Sequence, residues 1–435
     1  MLVLQIAAAL LFCAAASALQ AQTKITWWHA MGGRLGEKVK AIAEGFNKSQ
    51  SSYQLVPVNK GNYTETMTAG IAAFRAGKPP NIIQVFEVGT ATMMAAKGAI
   101  KPVYKLMAET GAPFDPGAYL PTVTGYYTTT DGKLLSMPFN SSTPILYYNK
   151  EAFKKAGLPD RAPSTWPELV EFAQKTQRAG YPCGFTTAWQ SWVQIENFSA
   201  WHDVPIATLS NGFGGLKTEF KINSPLHVRH IGNMAKWQKS KIFDYGGRRG
   251  SGQAKFTTGK DCVMYMQSSA GYAGIKRTAK FEFGTGMLPY YPDVQGAPRN
   301  SIIGGATLWV FEGHSSKEYR GVAEFFGYLS SAAVQADWHQ FTGYLPITTA
   351  AYKLTKQQGF YSKNPGTETA LLQMTRAKPT ANSKGLRLGN FVQIRDIINN
   401  ELEAVWSGKK SAKQALDDAV AQGNRLLRKF ERANR

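Results

Sequence analysis

Apolar and polar positions follow two alternating periods through the first part of the chain. Lys24-Ile-Thr-Trp-Trp-His29, Tyr53-Gln-Leu-Val-Pro-Val58 and Ile82–Phe86 are short β-branched and aromatic runs that predict strands. Between them, after a Gly32-Gly33 turn, Leu35, Val39, Ile42 and Phe46 recur at helical spacing, and Thr64–Arg75 and Thr90–Lys97 read as further helices. Strand–helix alternation predicts parallel βαβ units and a doubly wound α/β sheet. Ligands of such sheets sit beyond the carboxyl ends of the strands, which singles out Asn59–Tyr63 and Glu87–Thr90. A second unit follows the Gly- and Pro-punctuated stretch Asp131–Pro144, with a strand at Ile145–Tyr148 and a short helix at Glu151–Ala156. Thr165-Trp-Pro-Glu168 and Ser411-Ala-Lys-Gln414 match capping boxes ahead of amphipathic helices. The last hundred residues read as mostly helical.

The N-terminal run Leu2–Ala18 is apolar and ends in small residues, the pattern of a secretory signal peptide. Cleavage is expected after Ala18 or Ala21, so residues 1–21 are assigned to the signal and the mature protein to a soluble exported form. Removal takes Cys13 with it. Cys183 and Cys262 remain, and either one disulfide or two buried thiols fits them; two lone cysteines imply no metal site.

At 435 residues the chain suggests two or three domains at roughly 100–200 residues each. With 43% hydrophobic and 12% aromatic residues it can bury substantial cores, which excludes wholesale disorder. Fifty Lys and Arg against 29 Asp and Glu give a net charge of +21, which points to an anionic partner. The cations are scattered and no nucleic-acid motif is present, so nucleic acid is set aside. Hydrolase elbows, zinc-protease helices and phosphate-binding loops are also missing. Gly284-Thr-Gly286 begins a dinucleotide fingerprint, but Pro289 stands where its third glycine belongs. His227 and His230 have helical spacing without further metal ligands nearby and read as a solvated pair. His29, His202, His314 and His339 read as packed or surface groups. A secreted hydrolase using carboxylates that meet only in the fold stays open.

Trp27-Trp-His29, Lys60-Gly-Asn-Tyr63, Glu87-Val-Gly-Thr-Ala-Thr-Met-Met94, Pro138–Pro144 and Tyr147-Tyr-Asn-Lys150 together resemble ABC-importer solute-binding proteins, specifically their glycerol-3-phosphate-binding branch. Glu196–Trp201, Ile302-Ile-Gly-Gly-Ala306, Thr342–Thr348, Gly385–Asn390 and Gln393-Ile-Arg395 extend the resemblance across the mature chain. It implies two α/β lobes joined by hinge strands, with a ligand enclosed between them. The expected lobes are 22–140 plus 283–312 and 141–282 plus 313–435.

By the same resemblance, Tyr63, Glu87, Ser142, Ser268, Gly305, Tyr344 and Arg395 would contact the ligand, with Trp189 and Trp192 as an aromatic wall. Ser269 competes with Ser268, and Arg387 with Arg395. A guanidinium suits a phosphate, and Glu87 is expected to take the glycerol hydroxyls at the opposite end. Without the resemblance the two tyrosines and two tryptophans read as packing residues, Arg395 as a surface group and Gly305 as a close-packing site. The implied role is periplasmic capture of sn-glycerol 3-phosphate or glycerophosphodiesters by a monomer, without cofactor or chemistry, for a permease driven by a cytoplasmic ATPase. The alternatives are the same fold binding a neutral sugar, and a secreted phosphodiesterase or glycosidase.

Overall fold

The computed structural model describes residues 22–435, so the expected signal segment 1–21 lies outside them. The predicted strands form as β1 (Thr23–His29), β2 (Tyr53–Asn59) and β3 (Ile82–Phe86). They are followed by β4 (Ile100–Lys101), β5 (Met137–Ser142), β6 (Pro144–Asn149), β7 (Cys183–Thr187), β8 (Cys262–Ser268), β9 (Phe283–Gly286) and β10 (Gly304–Phe311). One sheet has the order β2-β1-β3-β10-β4, with β5 also on β10; the other has the order β7-β8-β6-β9. β1 runs parallel to β2 and β3, as the strand–helix alternation predicts, while β10 enters antiparallel. The helix Gly33–Ser49 buries Val39, Ile42 and Phe46, so its apolar stripe faces the core.

The chain passes from the first sheet to the second between Ser142 and Pro144, close to the expected crossover at Asn140. The next crossing differs from expectation. β9 pairs with β6 from Leu146↔Gly286 to Asn149↔Phe283 and stays with the second sheet, so the return comes only after Gly286. The helix Ser316–Leu329, expected in the second lobe, packs on the first sheet instead. Phe325 meets Trp27 and Phe46 at centroid distances of 5.4 and 5.5 Å, and Gly321 leaves room for the Tyr53 ring. Its capping residue Glu318 also accepts a hydrogen bond from Asn81 Nδ2 at 2.9 Å, tying the helix start to the foot of β3. Short-range patterns carry no information about which sheet a helix chooses.

Local chemistry adjusts two further expectations. Thr165 caps the amide of Glu168, but the Glu168 carboxylate turns to the amide of Ser164 at 2.6 Å, not to the Thr165 amide of a full capping box. Ser411 caps the amide of Gln414 at 3.2 Å. Cys183 and Cys262 are register partners on β7 and β8 and are joined by a disulfide, so both sulfurs are committed and the pair offers no metal ligand. No helix among the described residues is long and apolar enough to cross a membrane.

Candidate functional site

A cavity of about 230 Å³ lies where the two sheets approach. This is below the roughly 300–1,000 Å³ of sites for drug-sized molecules and suits a small ligand. All nine residues singled out from the sequence line it.

Tyr63 is the first residue of the helix Tyr63–Arg75, which Asn62 and Glu65 hold in a full capping box. Its hydroxyl accepts from Asn140 Nδ2 at 2.8 Å; Asn140 Oδ1 accepts from Gln84 Nε2, and Gln84 Oε1 from the Ala30 amide, both at 2.7 Å. This buried chain and a parallel stack on Phe86, 5.4 Å between centroids, fix the ring. Tyr344 stacks on Trp338 with an interplanar angle of 5°. Burial raises both phenol pKa values above the ordinary range, so both are neutral hydroxyls at physiological pH.

Ser142 ends β5 and Ser268 ends β8, and their hydroxyls meet at 2.8 Å across the two sheets. Ser268 Oγ also accepts from the Ala270 amide at 3.1 Å. Ser269 does not line the cavity; its buried hydroxyl has no partner among the described residues. Of the two serines, Ser268 lines the cavity and Ser269 does not.

The tandem glycines on β10 do different work. At Gly305, φ is +114° and a Cβ would lie 2.0 Å from the Asn140 carbonyl oxygen, so only glycine fits. A Cβ on Gly304 would lie 2.6 Å from Cζ2 of Trp192, so that missing side chain is the space the indole occupies. Trp192 opens a π-helical turn, Trp192–Asn197. Trp189 precedes the helix and has φ +44°, a conformation costly for a tryptophan, held in part by its amide bonding to the Arg249 carbonyl at 2.9 Å. Trp189 therefore lies outside the helical turn that Trp192 opens, and the two tryptophans do not share a helix face.

The charged wall departs most from expectation. Arg395, on the helix Phe391–Trp406, donates from Nε and Nη2 to the two oxygens of Glu196 at 2.8 and 2.7 Å, and from Nη2 to Glu87 Oε1 at 2.7 Å. Glu87 Oε2 accepts from the Gly305 amide at 3.2 Å. Glu87 and Arg395 are therefore bonded neighbours and do not occupy opposite ends of the site. Burial lowers the Arg395 pKa, but the two carboxylates outweigh it and hold the guanidinium charged. Nη1 makes no hydrogen bond within the described residues and remains as a donor. Glu196, 1% exposed, was missed; its segment belongs to the resemblance, but nothing in its spacing marks a role. Arg387 lies outside the cavity, donating to the carbonyls of Tyr126 and Thr128 and resting over the Phe213 ring.

His227 and His230 are fully buried, not solvated, because the helix Pro225–Lys239 turns that face inward. Their ring nitrogens pair with Ser199, Ser224, Gln194 and Tyr291.

The sequence pattern of bacterial extracellular solute-binding proteins matches residues 41–369. The chain belongs to this family. Among relatives of this solute-binding protein, the sn-glycerol-3-phosphate-binding periplasmic protein UgpB of Yersinia pseudotuberculosis serotype I is 54% identical over 432 residues, covering 99% of this chain and 97% of its own. UgpB of Salmonella typhimurium is 52% identical over 417 residues, 95% of each chain. A crystal structure of UgpB from Mycobacterium tuberculosis in complex with glycerophosphocholine superposes with a TM-score of 0.78 at 20% identity, covering 94% of this solute-binding protein and 99% of that chain, and shows the common fold.

Proposed function

We propose that this solute-binding protein captures sn-glycerol 3-phosphate, and glycerophosphodiesters such as glycerophosphocholine, in the periplasm and delivers them to the membrane permease of an ABC importer. The observation that carries the reading is the cavity itself. Every residue expected from the glycerol-3-phosphate-binding branch lines it, and Arg395 is the one cation among them, in a chain 54% identical to a protein named for that ligand. In this reading Arg395 Nη1 and the hydroxyls of Tyr63, Ser142, Ser268 and Tyr344 supply the hydrogen bonds, while the Gly305 amide holds Glu87 in place. Trp189 and Trp192 pack on the carbon skeleton. The protein works as a monomer and performs no chemistry; it arrives by export, with residues 1–21 removed, and ATP is spent by the importer's cytoplasmic subunits. The lobes follow the two sheets, with the helix Ser316–Leu329 in the first, and hinge closure over the ligand creates the form the permease accepts.

Calorimetric titration of the mature protein with sn-glycerol 3-phosphate, glycerophosphocholine and maltose tests this. Saturable binding of the phosphates without turnover is expected. Tight maltose binding with no response to the phosphates would make it a sugar receptor, and release of choline from glycerophosphocholine would make it an enzyme.

A further inference from the structure

The buried charged group at the cavity, made of the lining residues Glu87 and Arg395 and of Glu196 bonded to Arg395 from outside the lining, has more acidic than basic side chains. Arg395 is bonded to both Glu87 and Glu196, and all three side chains are largely buried, at 13%, 5% and 1% exposure. Two carboxylates against one guanidinium leave one negative charge, and Arg395 is the only cationic side chain lining the cavity among the described residues. A phosphate monoester is close to dianionic at neutral pH, its second pKa being about 6. Placing it here sets like charges together in a poorly solvated space, where they repel far more strongly than in water.

Resting on the function proposed above, we infer that Glu196 meters the charge of the site: capture of a phosphate monoester takes up one proton from solvent, held between Glu196 and the ligand phosphate. The proton leaves on release, so nothing is consumed.

The surroundings offer few other places for that proton. Tyr63, Tyr126, Tyr127 and Tyr344 feel the charge of Glu87, and Tyr126 also that of Glu196, Arg395 and Arg387. Burial holds all four phenols protonated at neutral pH, and the arginines are cationic already. Glu196 is the group disposed to accept: burial pushes its carboxyl up against the pull of Arg395, and neighbouring Glu87 pushes the same way. Glu196 is a positioning residue as well, because its bidentate grip takes the Nε and Nη2 edge of Arg395 and leaves Nη1 free.

The test is titration calorimetry with sn-glycerol 3-phosphate at pH 8 in buffers of different ionisation enthalpy, on the wild-type protein and on Glu196→Gln. The wild-type protein is expected to take up close to one proton per ligand, and its Kd to rise by up to about tenfold per pH unit above neutrality. Glu196→Gln is expected to take up far less and to flatten that dependence to less than about threefold. A purely structural role for Glu196 would weaken binding equally at every pH and leave the proton count unchanged, which overturns the inference. So does wild-type binding with the same heat in every buffer, while leaving the proposed function intact. Failure to bind at any pH overturns both.

Discussion

Two buried polar clusters hang from one stretch of chain, Trp192–His202, and they are built on opposite principles. On one side Glu196 faces Arg395 and Glu87, a charged group beside the cavity with a guanidinium donor left over. On the other, Gln194, Ser199 and His202 face inward with His227 and His230, and every ring nitrogen has a partner. His202 Nδ1 donates to the Phe198 carbonyl at 2.8 Å, and its Nε2 accepts from the Tyr291 amide at 2.9 Å. Ser199 donates to the Ile195 carbonyl, so its oxygen is free to accept from His227 Nε2, while Ser224 donates to Nδ1. The histidines are closed neutral hydrogen-bonding units serving the fold. The carboxylate–arginine group is left open, and an open buried charge is what a ligand can use.

Removing the charge that holds the open cluster together should have the largest effect. Arg395→Ala leaves Glu196 and Glu87 buried without their counter-ion, which is expected to cost about 3–5 kcal/mol of folding stability. Loss of at least about thirtyfold in phosphate affinity is expected with it. Urea unfolding and calorimetry on the same preparation separate the two effects; unchanged stability would mean that the carboxylates are solvated or already protonated.

Acid should open the closed cluster. Burial lowers His202 to about 4 and His227 to about 3 from an ordinary 6.5, and depresses His230 as well. The unfolded chain takes up protons near pH 6.5 and the folded chain does not, so their contribution is full above 6.5 and is lost as pH falls towards 4. His202 alone accounts for about 3 kcal/mol over that window. Glu196, raised by burial, acts with the opposite sign. Urea midpoints measured from pH 7.5 to 4.5 should fall steeply; a flat profile would show that the imidazoles are solvated.

Local periodicity is written in a sequence, whereas pairing across the fold is not. Strands β1, β2 and β3 and the helices between them were legible because a two-residue period and a 3.6-residue period are local properties. So were the segments Asn59–Tyr63 and Glu87–Thr90, which lie where chain direction places a ligand in such sheets, although the resemblance was needed to pick Tyr63 and Glu87 from them. The remaining lining residues came from resemblance, since Ser142, Ser268, Gly305 and Arg395 are brought together from four distant segments. What escaped was pairing in space: β9 with β6, the helix Ser316–Leu329 with β1, Arg395 with Glu87 and Glu196, and the inward turn of His227 and His230. Each depends on a partner more than fifty residues away or on which helix face is covered.

Smaller changes can sharpen the contrast by disturbing the open side alone. Gly304→Ala places a methyl group where Trp192 Cζ2 lies 2.6 Å away, so the indole must move. About 1–3 kcal/mol of overpacking is expected, together with weakened binding, while the histidine cluster keeps its pH response. Tryptophan fluorescence and calorimetry would read both; an unchanged affinity would show that Trp192 is packing rather than wall.

The smallest effect should come from one hydroxyl. Ser268→Ala removes the cap on the Ala270 amide and the bond to Ser142, about 1 kcal/mol of stability and up to about tenfold in affinity. Ser269→Ala, next in the chain, removes a hydroxyl that is buried, has no partner and does not line the cavity. Its affinity should stay within about twofold of the parent, because no contact with an occupant is lost. If the two variants exchange these behaviours, the serine at the end of β8 serves the sheet junction and its neighbour serves the ligand, and the registry of the site on that strand would have to be redrawn by one residue.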